Sequence, residues 1–292
     1  MKQYYLTEII TKDDLIHAGI YFAPLKKGKR AILWVHGLSA TFYGSIPITD
    51  AFCDACEKES MGFAMFNNRG HDLLAGIRKV DPSKPRGFDH YPAGAGEEVF
   101  EESVLDIDAG VKFLLKQGYK EIIIVGHSTG ANKLCYWAAT QKNPHVVGVV
   151  LSGPISDRLS PTSKKYWYLL PYLRFLTWVG LGNKLISGVS FFPATPKRLL
   201  SLLSPTSTED VFDYGDNYPK LELFSKIVYP LMVIIGGNDD VADRPVRDIK
   251  KVFDAKHTVK KYHSVIIPGG THTYTSVERA AVKAIIDWIK TL

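Results

Sequence analysis

Cysteine is scarce in this chain, with three in 292 residues at Cys53, Cys56 and Cys135. So small and odd a number cannot supply a disulfide framework, and it fits a reducing compartment. Cys53 and Cys56 make a C-x-x-C, but no second pair follows to complete a zinc site. Their i, i+3 spacing within a helical pattern predicts two small apolar side chains on one helix face. No run reaches the ~18 apolar residues needed to cross a bilayer. The opening stretch MKQYYLTEIITKDDL has neither an uninterrupted h-region nor a cleavage site. A cytoplasmic protein is therefore expected. H-E-x-x-H and Cys/His clusters are missing, as are G-x-G-x-x-G and P-loop motifs, so no metal and no nucleotide or other cofactor is expected. Internal repeats and low-complexity tracts are also lacking.

Charge of one sign is not concentrated either. The formal net charge is +6 with a pI near 9.0, but 36 Lys and Arg are dispersed among 30 acids, which is not the footprint of a nucleic-acid binder. Acids gather only at Glu97, Glu98, Glu101, Glu102, Asp106 and Asp108, around the start of a helical pattern that ends near Gln117. Negative charge there complements a helix dipole, so this run reads as structural.

Hydrophobic patterning is abundant. Strands are predicted at Leu6 to Ile10 and Leu15 to Phe22, the pair forming a hairpin. Further strands follow at Ala31 to Val35, Gly62 to Phe66, Glu121 to Val125, Val146 to Leu151, Leu231 to Ile235 and Val265 to Ile267. Most are continuous Ile, Val and Leu runs without strict alternation, as expected of strands covered on both faces. Helical patterns lie between them at Ile48 to Ser60, Val99 to Gln117, Ala131 to Lys142, Val246 to Ala255 and Ser276 to Lys290. The alternation predicts an α/β fold: a mostly parallel sheet with helices on both faces. The stretch from Ile77 to Gly96, rich in Pro, Gly and charge, reads as a loop near a pocket mouth.

From Pro154 to Pro219 the rhythm breaks. No convincing strand appears, yet the segment holds many aromatics, among them Tyr166, Trp167, Tyr172, Phe175 and Trp178. A connection this long needs its own structure. Leu169, Leu173 and Leu176 at helical spacing predict two to four short helices forming a cap (lid) at 154–219 over a core of 1–153 and 220–292. Most of the aromatics are expected to pack inside the cap or against the core, with some lining a pocket. Lys164, Lys165, Arg174 and Lys184 interleave with Trp and Tyr as membrane-interface segments do. Lid packing explains the same spacing and is the favoured reading.

The chemistry centres on Gly126-His127-Ser128-Thr129-Gly130, which follows the run Glu121 to Val125 and opens into a helical pattern. A G-x-S-x-G between strand and helix is the context of a nucleophile held on a strained turn, where flanking residues must lack bulk. Serine at neutral pH needs a base, itself held by a third group. Downstream, two strands run into Gly236-Gly237-Asn238-Asp239-Asp240 and Pro268-Gly269-Gly270-Thr271-His272, both at strand ends where an open parallel sheet forms its crevice.

With nucleophile, acid and histidine in that order, the chain resembles the α/β-hydrolase-fold serine hydrolases, with motifs spread from His36 to His272. The resemblance implies Ser128 as nucleophile, His272 as general acid and base, and Asp239 as the carboxylate orienting it. Asp240 next door and Asp157 after the preceding strand are the alternatives. His36-Gly37-Leu38-Ser39 is similar to the family's His-Gly oxyanion loop, which implies the backbone N–H groups of Leu38 and Thr129 as oxyanion donors. His36 and His127 then serve structure. Asn67-Asn68-Arg69-Gly70-His71-Asp72 resembles the family's Arg-Gly loop, Arg69 organising loops through hydrogen bonds, with Asp72 where many relatives carry Gly. Serine at the elbow disfavours dehalogenase-like and epoxide-hydrolase-like members, whose nucleophile is Asp.

These motifs imply a serine esterase or lipase-like enzyme acting on a small-molecule ester, with an apolar or amphipathic acyl group suited to the aromatic cap. Lactone or thioester cleavage by the same triad, and a non-catalytic ligand receptor on the same fold, are the alternatives. The elbow, the Asn-Asn-Arg-Gly loop and the stretch Leu151 to Arg158 are together similar to a branch that includes fungal siderophore-ester hydrolases, implying an ester or depsipeptide-like substrate.

Overall fold

The structure, a computed structural model, describes residues 3–292. In chain order the strands are β1 (Tyr5–Ile10), β2 (Leu15–Phe22), β3 (Arg30–Val35), β4 (Gly62–Phe66), β5 (Ala75–Val80), β6 (Phe88–Ala93), β7 (Glu121–His127), β8 (Val146–Ser152), β9 (Leu231–Gly236) and β10 (Tyr262–Ile267). The α-helices are α1 (Ile46–Lys58), α2 (Ser103–Lys116), α3 (Thr129–Thr140), α4 (Pro161–Lys164), α5 (Leu170–Trp178), α6 (Pro196–Leu203), α7 (Glu222–Ser225), α8 (Val246–Lys256) and α9 (Glu278–Ile289).

The strands form one sheet in the order β10-β9-β8-β7-β3-β4-β2-β5-β6, with β1 on the remaining edge of β2. From β10 to β4 every pairing is parallel, and β2, β1, β5 and β6 join antiparallel. Isoleucine and valine dominate the central strands because both faces of the sheet are covered. Ile122, Ile124, Val149 and Val233 sit in one core with α2, α3 and α8, while Ile123, Val125, Val150 and Ile234 sit in the other with α1 and α9. Cys53 and Cys56 are buried on α1 in the second core, as their spacing predicts. This is the α/β-hydrolase fold.

Two parts of the sequence reading are corrected. The stretch after Leu74 is a hairpin, β5 with β6, docked on β2 through Leu15 and Ile16. Prolines, charges and one exposed face removed the apolar run that marks the other strands. The aromatics between 154 and 219 also divide differently from expectation. Phe192, Phe212 and Tyr214 are buried, whereas Trp167, Tyr168, Tyr172, Phe175, Trp178 and Tyr218 are exposed. Among the described residues no helix is long and apolar enough to cross a membrane.

Candidate active site

Strand β7 ends at His127, and Ser128 takes φ +57° and ψ −131° before α3 begins at Thr129. A non-glycine residue at positive φ is held there by its surroundings. The turn is tight because its glycines are crossed by backbone: a Cβ on Gly126 would lie 2.3 Å from the Gly130 carbonyl oxygen, and one on Gly130 2.3 Å from that of Val35. Side chains at either place would force the elbow open. The expected helix start at Ala131 thus moves two residues earlier, to Thr129.

Across the carboxyl ends of β9 and β10, His272 Nδ1 donates to the Asp239 carboxylate at 2.9 and 3.1 Å. Both side chains are largely buried. With Nδ1 carrying the proton, Nε2 is the acceptor nitrogen, and it is buried with no hydrogen-bond partner among the described residues. Asp240 accepts the His272 backbone N–H at 3.1 Å, which lowers the pKa of its carboxyl. Asp240 thus holds the loop, not the ring. Asp157 accepts from Thr129 Oγ1 and Asn132 Nδ2, both at 3.1 Å. Burial, reinforced by the nearby Glu209 carboxylate, pushes its pKa up to about 7. Of the three candidate acids, only Asp239 bonds the imidazole.

The loop after β3 closes on the serine. A Cβ on Gly37 would sit 3.1 Å from Ser128 Oγ, so only the bare glycine allows this approach. His36 is fully enclosed. Its Nε2 accepts the Asn68 backbone N–H at 3.0 Å, so its proton is on Nδ1, which donates to the Gly37 carbonyl at 2.9 Å. Burial, then the charge of Lys133, pushes its pKa down to about 3, so the ring stays neutral. Because the peptide is trans and planar, a Gly37 carbonyl drawn to His36 turns the Leu38 N–H the opposite way. Neither the Leu38 nor the Thr129 N–H has a hydrogen-bond partner among the described residues. Ser39 continues the loop, donating its N–H to the Gly70 carbonyl at 3.2 Å.

The Asn-Asn-Arg-Gly loop is therefore a brace for the oxyanion loop. Arg69 lies against Asp106, with its backbone N–H and Nη2 each 2.9 Å from the carboxylate. Asp72 adopts φ +56°, in the left-handed region that favours glycine. On the other side of the elbow, the His127 ring lies between Trp34 and His272, with centroids 5.5 and 5.1 Å away. Burial, with His272 adding to it, pushes the His127 pKa down to about 3.

The sequence reading did not anticipate a buried ionic cluster one helical turn beyond the elbow. Lys133 on α3 contacts Glu98, which also faces Arg198 of α6 at 3.3 Å. Arg198 in turn pairs with Glu209 and donates Nε–H to the Ala95 carbonyl at 2.9 Å. The acidic run is thus largely assigned to specific partners: Glu98 to this cluster, Asp106 to Arg69, and Asp108 to Trp137 Nε1 at 2.8 Å. The dipole account applies to Glu101, Glu102 and Asp106, which stand in first turns. The members of the ionic cluster lie at 98, 133, 198 and 209, and no periodic signal in the sequence could have found it. A cleft of about 690 Å³ borders Glu98 and Arg198 but includes none of Ser128, Asp239 and His272, while a cavity of about 250 Å³ reaches His127.

Residues 92–292 match the family DUF1749, described as proteins of unknown function, and the chain belongs to that family. A comparison with curated proteins gave no significant match. Among solved structures, an esterase from Pyrococcus furiosus is similar at 18% identity and a TM-score of 0.64, over 99% of this chain and 91% of that one. A carboxyl esterase from Bacillus coagulans has 16% identity and a TM-score of 0.63, over 100% and 99%. A soluble variant of the monoglyceride lipase of Saccharomyces cerevisiae has 14% identity and a TM-score of 0.65, over 100% and 95%.

Proposed function

We propose that the protein is a serine hydrolase that cleaves carboxylic esters through an acyl-enzyme on Ser128. The observation that carries this reading is a buried His272 Nε2 without a hydrogen-bond partner among the described residues, on a ring whose other nitrogen donates to Asp239 at 2.9 Å. It lies at the strand-end edge that also holds a serine at positive φ. The fold's occurrence in carboxyl esterases and a monoglyceride lipase supports an ester as substrate.

In this scheme Ser128 Oγ attacks the ester carbonyl carbon as its proton passes to His272 Nε2. The Asp239 carboxylate steadies the resulting imidazolium and keeps the ring in the acceptor tautomer. Negative charge developing on the carbonyl oxygen is taken by the Leu38 and Thr129 N–H groups, each worth roughly 3 kcal/mol of barrier in such sites. The tetrahedral species collapses, the C–O bond to the alcohol breaks, and His272 returns the proton to the leaving oxygen. Water then repeats the sequence on the acyl-enzyme and releases the carboxylic acid.

Residues 154–219 serve as a cap in this reading. Leu38 belongs to the same apolar cluster as Leu169, Leu173 and Phe192, so the oxyanion loop borders apolar side chains of that segment. Such a border favours an apolar or amphipathic acyl group.

Intact-mass detection of fluorophosphonate labelling on wild type and Ser128→Ala, followed by p-nitrophenyl ester turnover across acyl lengths, tests the assignment. One label per chain on wild type and none on Ser128→Ala is expected. Turnover that survives Ser128→Ala overturns it, and a folded wild type that neither labels nor turns over assigns the fold to ligand reception.

A further inference from the structure

Between Asp157 and Glu209 the chain runs 51 residues, 158 to 208, without one Asp or Glu, while carrying seven Lys and Arg. Arg158 and Arg198 are buried in ion pairs, and Lys164 reaches Asp243 at 3.1 Å. Lys165, Arg174, Lys184 and Lys197 are exposed and make no ion pair with any described residue. In a protein with 30 acids, an acid-free stretch of this length brings only cations of its own to the surface, although Glu97 and Glu101 share the cleft that Arg174 and Lys197 line.

The same stretch is apolar on two sides. Leu169, Leu173 and Leu176 face inward along α5 and the turn before it. Tyr168, Tyr172, Phe175 and Val179, at i, i+4, i+7 and i+11, line the opposite side and are exposed, with Tyr168 72% accessible. Trp178 extends this stripe, 82% accessible, its ring centroid 6.2 Å from that of Phe175. Lid packing accounts for the leucines but leaves the aromatic stripe in water. Tyr and Trp rings with an apolar body and a polar tip, flanked by unpaired Lys and Arg, are the composition that partitions into the headgroup region of a membrane.

We propose that the outward face of α5, with the turns on either side of it, docks on an anionic lipid–water interface. The rings enter the acyl boundary while Lys165, Arg174 and Lys184 meet lipid phosphates. Charge complementarity selects an anionic bilayer as the occupant, because a second copy would bring the same cations against themselves. Leu38 shares a cluster with Leu169 and Leu173, so the docked face lies about one helix diameter, ~10 Å, from the oxyanion loop.

The test is co-sedimentation of the full chain with extruded vesicles of phosphatidylcholine alone and of phosphatidylcholine mixed with phosphatidylglycerol. It reads binding, not turnover, and so stands or falls apart from the esterase reading. Wild type is expected to bind the mixed vesicles, and to do so more weakly on phosphatidylcholine or at high salt. Phe175→Ser/Trp178→Ser and, separately, Lys165→Gln/Arg174→Gln/Lys184→Gln should each lower partitioning by roughly tenfold. All five side chains are exposed, so the melting temperature should not move, and unchanged melting certifies that loss of binding is not loss of fold. Failure of wild type to bind mixed vesicles, or binding untouched by both variants, overturns the proposal. A dimer in light scattering that Phe175→Ser/Trp178→Ser dissolves would give the face to a second copy and overturn it equally.

Discussion

Asp239 and His272 leave one ring nitrogen without a partner, whereas Glu98, Lys133, Arg198 and Glu209, a few residues from the same elbow, leave no charge uncompensated. Both groups are buried and both join parts of the chain far apart in sequence. The ionic cluster meets each carboxylate with a cation and spends the last Arg198 donor on a backbone carbonyl, so nothing in it remains to react. The histidine pair is held as firmly at Nδ1 but stops there, with Nε2 lacking a hydrogen-bond partner among the described residues. Burial and charge alone therefore do not mark a reactive site. Nor does an unpartnered ring nitrogen: His17 bonds Asp106 through Nε2 at 3.1 Å with Nδ1 buried and without a hydrogen-bond partner among the described residues, so His272 is set apart by its place at the strand-end edge that holds Ser128 at positive φ.

The comparison breaks most sharply at the carboxylates. Asp239→Asn keeps the shape but offers an amide to His272 Nδ1, favouring the wrong tautomer, and should lower kcat by about 10⁴. Asp157→Asn, whose side chain bonds only Thr129 and Asn132, should leave kcat within about threefold. Steady-state kinetics on a soluble ester reads both, and equal losses would unseat Asp239.

Next in size is the cluster. Arg198→Ala strands Glu209 as a buried carboxylate without a cation and leaves Glu98 to Lys133 alone, and should destabilise the fold by about 3–5 kcal/mol in urea melts. Arg198→Met/Glu209→Gln, which removes the orphaned charge and keeps the Glu98–Lys133 pair, should recover much of that loss. Double and single variants of equal stability would mean that the charges are not coupled.

A smaller effect is expected behind the oxyanion loop. His36→Ala frees the Gly37–Leu38 peptide and should lower kcat by roughly 10², the scale of losing one oxyanion donor, with KM little changed. His36→Gln, able to restore one of the two hydrogen bonds, should recover part of it. A change confined to KM would place His36 outside the oxyanion geometry.

The smallest is a slope with pH. His36 and His127 stay neutral in the folded chain down to about 3 but charge near 6.5 when unfolded. Through that interval the unfolded state binds more protons, so their share of stability is complete above about pH 6.5 and is lost as pH falls toward 3. Melting temperature should therefore fall on acidification, and His127→Gln should flatten the fall. An identical slope in the variant would remove His127 from the account.

Legibility in the sequence followed locality. Ser128, Asp239 and His272 stand at the ends of apolar strands and in Gly-rich turns, a local signal that needs no knowledge of partners. Asp240 and Asp157 stood as alternatives to Asp239 from position in their loops, and the direction of each side chain separates them from it. The β5–β6 hairpin was missed because Pro82, Pro85 and Pro92, with charged neighbours, dilute its pattern, and because it joins the sheet through only two residue pairs with β2. The acids from Glu97 to Asp108 were legible as a cluster but not as ligands of Lys133, Arg198 and Arg69. Their partners lie far away along the chain, and no periodicity encodes them.

Sequence by itself determined the strand and helix alternation, the elbow and the order of serine, acid and histidine, because each depends on residues within one turn or one strand. Tertiary structure alone decided which carboxylate meets His272, which acids pair with buried cations, and that the aromatic stripe of α5 faces outward. Those outcomes depend on distances across the fold, where hydrogen-bond direction and desolvation choose among side chains that sequence leaves equivalent.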